Sequence, residues 1–226
     1  MRGRVRALDG IDLLIRPREA VGLVGSRGAG KTTLLDCISG LVRPARGRIY
    51  MEERLLTRRA PFEIARLGVT RTFAVPRMFR RLSVIDNVRP FVPTGGSPRP
   101  AQMFARMMLG LVGLDERAAD PIEALTPFEL RRLELARALA PGPRLILLDE
   151  PARGLSGREA RTMLGLIRRL ALPHAAVLIA EVEPELTREL CPRTLVLEAG
   201  RKLRDGPAGP AMLAPPNETV QRVAEG

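Results

Sequence analysis

Gly25-Ser26-Arg27-Gly28-Ala29-Gly30-Lys31-Thr32 follows the apolar run 21–24 and precedes a helical pattern carrying Leu34, Leu35 and Ile38. It fits G-x-x-x-x-G-K-[ST] in the strand-to-helix setting that gives this motif its meaning. Glycines let such a loop turn so that successive backbone N–H groups point inward, and the new helix adds the positive end of its dipole. The ligand this cradle suits is a polyphosphate. The candidate nucleotide-binding set is Gly25, Ser26, Arg27, Gly28, Ala29, Gly30, Lys31, Thr32 and Thr33, with Lys31 neutralising the terminal phosphates and the Thr32 hydroxyl offered to Mg²⁺. Composition sharpens the reading. Of 37 Lys plus Arg only Lys31 and Lys202 are lysines, and one of them stands where a compact ammonium is needed.

A second element, Arg144-Leu145-Ile146-Leu147-Leu148-Asp149-Glu150, reads as a buried strand whose exit carries paired acids. Asp149 is the second candidate ligand for Mg²⁺, and Glu150 is the candidate catalytic residue, able to polarise a water in line with a terminal phosphate. Between and around these motifs, apolar runs of strand length alternate with helical patterns, the mark of an α/β domain with a mostly parallel sheet. The clearest buried strands are 20–24, 145–148 and 176–180.

Residues 70–140 read as helical: Ser83 with Asp86 suggests a capping box, and Phe104, Met107, Met108 and Leu111 share a helical spacing. Met103, Met107 and Met108 are expected to fill the core. Pro93-Thr94-Gly95-Gly96-Ser97-Pro98-Arg99-Pro100 reads as a linker between helices, and Ser156 with Glu159 opens a further helix whose buried face carries Ala160, Met163, Leu164 and Ile167. A hairpin is expected around Glu198-Ala199-Gly200. The predicted organisation is a single domain over 1–226: an α/β P-loop core from 1–69 and 141–206 with a small antiparallel portion, a helical subdomain at 70–140, and a tail at 207–226.

The formal net charge of +12 raises the question of nucleic acid, yet 3% aromatic content leaves few platforms for stacking bases, and the arginines scatter in pairs such as Arg58-Arg59 and Arg168-Arg169. No nucleic-acid partner is expected. The apolar runs fall far short of the ~20 residues that cross a bilayer, and Asp9, Asp12 and Arg16 interrupt what a secretory leader would need. A cytoplasmic location follows as the expectation. Cys37 and Cys191 are too few for a disulfide framework.

With these motifs in place, the chain resembles the ATP-binding subunits of ABC transporters, most closely those of branched-chain amino acid uptake systems. The resemblance runs over about residues 5–206 and includes Ala7-Leu8-Asp9-Gly10-Ile11, the phosphate loop, Gly68-Val69-Thr70-Arg71-Thr72-Phe73, Leu82-Ser83-Val84-Ile85-Asp86-Asn87-Val88, Arg131-Arg132-Leu133-Glu134-Leu135-Ala136-Arg137-Ala138-Leu139 and Leu148-Asp149-Glu150-Pro151-Ala152-Arg153-Gly154-Leu155. It implies ATP and Mg²⁺ as cofactors, a second ABC subunit whose signature loop completes each phosphate loop, integral membrane transporter subunits, and a peripheral place for this chain on the inner face of the cell membrane.

Family positions that matter for chemistry are altered. Ala74 stands where a glutamine should follow Phe73, and Val182 where the switch histidine should follow Glu181. The signature loop reads Leu125-Thr126-Pro127-Phe128-Glu129, in which Pro127 has no N–H, Phe128 obstructs close approach and Glu129 carries negative charge toward a triphosphate. The family's first strand and its adenine-stacking aromatic have no counterpart in this sequence. These changes imply slow hydrolysis or none, and a paralogous partner rather than a second copy. His174, the only histidine, reads as a loop residue.

Overall fold

Ala20–Val24 forms strand β1, buried at every position, and the strand at Ala176–Glu181 beside it is likewise buried throughout. The computed structural model describes residues 6–93 and 98–209. After β1 come α1 (Lys31–Ile38), β2 (Tyr50–Met51), β3 (Arg54–Leu55), α2 (Pro61–Arg66) and β4 (Val69–Arg71). Next are α3 (Val84–Val88), α4 (Pro98–Leu111) and α5 (Pro127–Leu139), joined through short 3-10 turns. The chain then runs through β5 (Leu145–Asp149), α6 (Gly157–Leu170), β6 (Ala176–Glu181), α7 (Pro184–Leu190), β7 (Arg193–Glu198) and β8 (Arg201–Pro207).

The main sheet has the order β4-β5-β6-β1-β7-β8, parallel throughout except for β8, which returns antiparallel on β7. Side chains alternate between its faces, and both faces are covered. Ile146, Leu148, Val177 and Ile179 join one core with Leu133, Leu135, Met163 and Ile167 from α5 and α6. Val21, Leu23, Leu147, Leu178 and Ala180 join a second core with Leu34, Leu35 and Ile64 from α1 and α2. That double coverage is why these strands read as continuous apolar runs.

Parallel pairing sends β1, β5 and β6 out of the sheet at one end. The register sets Val24 beside Glu181 and Asp149 beside Ala180, so the phosphate loop and the Asp149-Glu150 pair emerge on either side of Glu181. Crevices at the carboxyl ends of parallel strands are where open α/β sheets bind ligands.

The helical stretch shows what spacing alone leaves open. Ser83 caps α3 by accepting from the Asp86 amide at 3.3 Å, while the Asp86 carboxylate turns to the Ser83 hydroxyl. Helix α4 buries Ala101, Ala105, Met108 and Leu109. Of the methionines expected in the core, only Met108 is there; Met103 and Met107 are 74% and 50% exposed, because the stripe of α4 that packs inward runs through Ala101, Ala105, Met108 and Leu109. The expected linker is shorter than its composition suggested. Pro98 already opens α4, where a residue without an N–H costs nothing, and 94–97 lie outside the described residues. Thr70 and Arg71, the first residues of the 70–140 stretch, belong to β4 and pair with β5 in the main sheet. The tail from 210 onward also lies outside the described residues.

Helix α6 opens as read, with Ser156 accepting from the Glu159 amide and Glu159 reaching back to the Ser156 N–H. The hairpin turns at Ala199 and Gly200, both at positive φ. Against it lies the segment ahead of β1. The Asp9 amide donates to Gly200 at 2.7 Å, Lys202 Nζ to the Asp12 carbonyl at 2.6 Å and Arg193 to the Leu14 carbonyl at 2.7 Å, while Leu8, Ile11, Leu13 and Ile15 pack on the second core.

Candidate active site

The loop between β1 and α1 closes tightly. A Cβ on Gly25 would strike the Leu197 carbonyl, and Gly30, at φ 105°, would place one 2.6 Å from the Ala7 carbonyl. Only glycine fits either place. Gly30 is the N-cap of α1, with no side-chain cap and no acid in the first turn, so the leading amides of the helix stay available to an anion. Ser26, Arg27 and Gly28 are exposed, while Ala29 is buried and donates its amide to Ser26 at 3.1 Å.

Lys31 is 6% exposed, and its Nζ donates to the Gly25 carbonyl at 2.6 Å and the Ser26 carbonyl at 3.0 Å. Burial lowers its pKa, against the opposing pull of Glu150, Asp149 and Glu181. The Thr32 hydroxyl donates to Asp149 Oδ1 at 3.2 Å, so the two candidate metal ligands, distant in sequence, are adjacent in space. Thr33 is half-buried in the first turn of α1. A uncapped helix start, a buried ammonium bonded only to loop carbonyls, and a hydroxyl beside a carboxylate together form a set that suits a magnesium polyphosphate.

Asp149 is 2% exposed. Its second oxygen accepts from Arg71 Nη2 at 3.1 Å; burial raises its pKa while Arg71 and Thr32 hold it down. The Arg71 side chain, 5% exposed, also pairs with Asp36 on α1 and lies 5.0 Å from the Phe73 ring. It braces α1 against β5. Sequence reading passed over Arg71, because a lone arginine inside a short strand looks like any other.

Glu150 adopts φ 46°, a left-handed conformation that costs a non-glycine residue about 1 kcal/mol or more. Its amide donates to Ala180 at 2.9 Å, its carbonyl accepts from Arg153, and its carboxylate pairs with Arg153 at 3.3 Å. Glu181, also passed over, is buried at the end of β6 and accepts the Ala152 amide at 3.2 Å. Acids ending an apolar strand signalled Asp149 and Glu150, and the same signal was present at Glu181. Burial pushes the Glu181 carboxyl up to about 7.

Because that pKa lies above the unfolded value, the proton on Glu181 stabilises the fold at low pH, and this contribution is lost as pH rises toward 7. Glu181→Gln keeps an acceptor for Ala152 without the charge. Urea unfolding is therefore expected to show the variant gaining on the wild type by about 1.4 kcal/mol per pH unit between the ordinary carboxylate range and neutrality. A pH-independent difference would contradict it.

The segment after β4 is gripped by α5. Glu134 accepts the Phe73 amide at 2.9 Å, and Arg131 donates to the Phe73 carbonyl at 2.9 Å and the Ala74 carbonyl at 2.7 Å. Arg131 and Glu134, both buried, pair with each other at 3.3 Å, and Arg131 also reaches the Arg153 carbonyl at 3.4 Å.

A model of the ABC transporter family matches residues 8–153. The high-affinity branched-chain amino acid transport ATP-binding protein LivG of Salmonella typhimurium is 34% identical over 221 residues, covering 90% of this chain and 87% of that protein. The chain belongs to the ABC transporter family of ATP-binding subunits. The lipopolysaccharide export system ATP-binding protein LptB of Acidithiobacillus ferridurans is 36% identical over 206 residues, covering 91% of this chain and 85% of its own. In fold, this ABC subunit is similar to the ADP conformation of MJ1267, an ATP-binding cassette of an ABC transporter, with a TM-score of 0.82 at 23% identity, covering 96% of this chain and 92% of that one.

Within the ABC frame, the altered positions acquire surroundings. Val182, half-exposed, follows β6 at the phosphate-loop end of the sheet, whereas His174 precedes β6 at the other end. In the signature loop Thr126 caps α5 and Pro127 takes its first turn, where a missing N–H is tolerated. Glu129 departs from the expectation. Its carboxylate turns back to the Thr126 amide at 2.8 Å and pairs with Arg117 at 2.8 Å and Arg132 at 3.9 Å, so its charge is met inside its own subunit. Phe128 lies half-buried under Arg132.

Proposed function

We propose that this ABC subunit binds Mg-ATP in the Gly25–Thr33 loop and hydrolyses it slowly, serving an importer of the branched-chain amino acid type at the inner face of the cell membrane. The observation that carries the reading is the meeting of Lys31, Thr32 and Asp149 at the end of the sheet, with Thr32 and Asp149 at 3.2 Å. Backbone amides from the loop and the start of α1 hold the phosphates, Lys31 neutralises their charge, and Thr32 with Asp149 holds the metal. Mg²⁺, held there by Thr32 and Asp149, would supply positive charge to offset the charge that develops during transfer. Glu150 orients the attacking water, its place fixed by the Ala180 bond and the strained turn. Calorimetric titration of the purified chain with Mg-ATP tests the reading, and no saturable binding would overturn it.

A second reading, a nucleotide-binding regulatory or structural subunit without useful turnover, is favoured by Val182 and Ala74. Valine has neither donor nor acceptor for a transferring phosphoryl group, and loss of one preorganised partner typically costs about 10² to 10³ in rate. With the signature loop reading Leu125-Thr126-Pro127-Phe128-Glu129, the partner we propose is a paralogue that supplies a working cap, alongside integral membrane subunits.

Restoring the side chains decides between the readings. Ala74→Gln with Val182→His, assayed by phosphate release beside such a paralogue, is expected to raise turnover by about tenfold or more with ATP affinity unchanged. Turnover no faster than wild type would show that another feature limits it.

A further inference from the structure

We propose that the concave surface between the loop after α1 and the β2–β3 hairpin is a binding site for a phosphate-bearing anion, separate from the phosphate loop. Contiguous hollows of about 280 and about 350 Å³ meet there, sharing Arg43, Pro44, Thr57 and Arg58 in their walls. Arg48 and Tyr50 line the larger and Arg59 the smaller, and no acidic residue lines either.

The cations here are not explained by folding. Arg59 is committed, its Nε donating to the Leu55 carbonyl at 2.8 Å and its head 4.0 Å from Glu63. Arg43, Arg48 and Arg58 are exposed, and among the described residues their guanidinium groups make no hydrogen bond or ion pair. Like charges gathered in a hollow without a carboxylate repel one another, and a local conflict of this kind marks a surface shaped for a ligand. The forked guanidinium matches a phosphate group through paired N–H donors.

The frame around them is fixed. Tyr50 pairs with Leu55 and Met51 with Arg54, the Leu56 amide donates to Ile49 at 2.8 Å, and the Ile49 amide donates to the Thr57 hydroxyl at 2.6 Å. Thr57 Oγ1 thus accepts from the backbone and keeps its own proton to donate. Helix α1 separates this surface from the nucleotide cradle: Lys31 opens it at one end, and Arg43 follows its other end after Ile38, a helix length of about 12 Å.

The phosphate has two sources, a soluble polyanion or a lipid headgroup, and the experiment has an arm for each. Both use the full chain carrying Lys31→Ala, which removes the phosphate loop as a competitor. One arm titrates tripolyphosphate by calorimetry; the other sediments phosphatidylcholine vesicles with and without phosphatidylglycerol. Arg43→Gln with Arg58→Gln is expected to weaken binding about tenfold or more in one arm. The comparison is Arg158→Gln with Arg161→Gln, exposed on α6, which removes the same charge elsewhere.

Loss confined to the Arg43/Arg58 variant in the tripolyphosphate arm assigns a soluble anion, and in the vesicle arm a headgroup. Equal loss in both double variants, unchanged affinity, or no binding in either arm overturns the site. Repeating the pair with Lys31 intact should leave Mg-ATP affinity unchanged in the Arg43/Arg58 variant; a parallel loss of ATP binding would also overturn it. The nucleotide reading is tested separately, by Lys31→Ala itself.

Discussion

Lys31→Ala is expected to weaken Mg-ATP binding by about a hundredfold or more, which at ordinary protein concentrations is loss of detectable binding. The ammonium is buried, drawn on by Glu150, Asp149 and Glu181, and bonded to the Gly25 and Ser26 carbonyls. Alanine removes the counter-charge to a triphosphate, leaves those carboxylates unopposed and frees the loop at once. A pair of charge-assisted hydrogen bonds, each worth about 1.5 to 3 kcal/mol, accounts for the expected factor. Calorimetry measures it, with thermal unfolding confirming an intact fold. Equal affinity in the wild type and the variant would remove the loop from the site.

Arg131→Met is expected to destabilise the protein by about 3 to 5 kcal/mol, which for a chain of this size lowers Tm by about 10 °C. Arg131 and Glu134 are 5% and 6% exposed, and the guanidinium satisfies the Phe73 and Ala74 carbonyls as well as its acid. Without it Glu134 is a buried charge bonded only to the Phe73 amide, and the carbonyls are orphaned. Burial already raises the Glu134 pKa against the pull of that amide and Arg131, so losing Arg131 drives it further up.

The double variant Arg131→Met with Glu134→Gln should recover part of the loss, because the amide keeps an acceptor for Phe73 without the charge. Scanning calorimetry of both proteins measures this. A single variant within about 1 kcal/mol of wild type would show the pair to be dispensable. The pair also gives a physical account of how α5 stays attached to a 73–74 segment that lacks the family's glutamine.

Much of this protein was legible along the chain because its deciding elements are local. The phosphate loop needs only glycines, a lysine and a threonine in order, and β1, β5 and β6 announce themselves by unbroken apolarity, which follows from burial on both sheet faces. The caps at Ser83 and Ser156 are likewise contained within a single turn. What the tertiary structure decided are the long-range choices. Spacing made Met103 and Met107 look like core, but which stripe of α4 is buried depends on how closely α3 and α5 approach, and Ala101 and Ala105 permit the closer contact. Glu129 looked like charge aimed at a nucleotide until Arg117 and Arg132, brought beside it by folding, claimed it. Arg71, Arg131 and Glu134 carry no sequence mark that separates them from surface charges, and Glu181 carries only its place at the end of an apolar strand. Their roles exist only because strand register and helix packing bury them against Asp149, Phe73 and Ala152, where a polar group must find a partner or destabilise the fold.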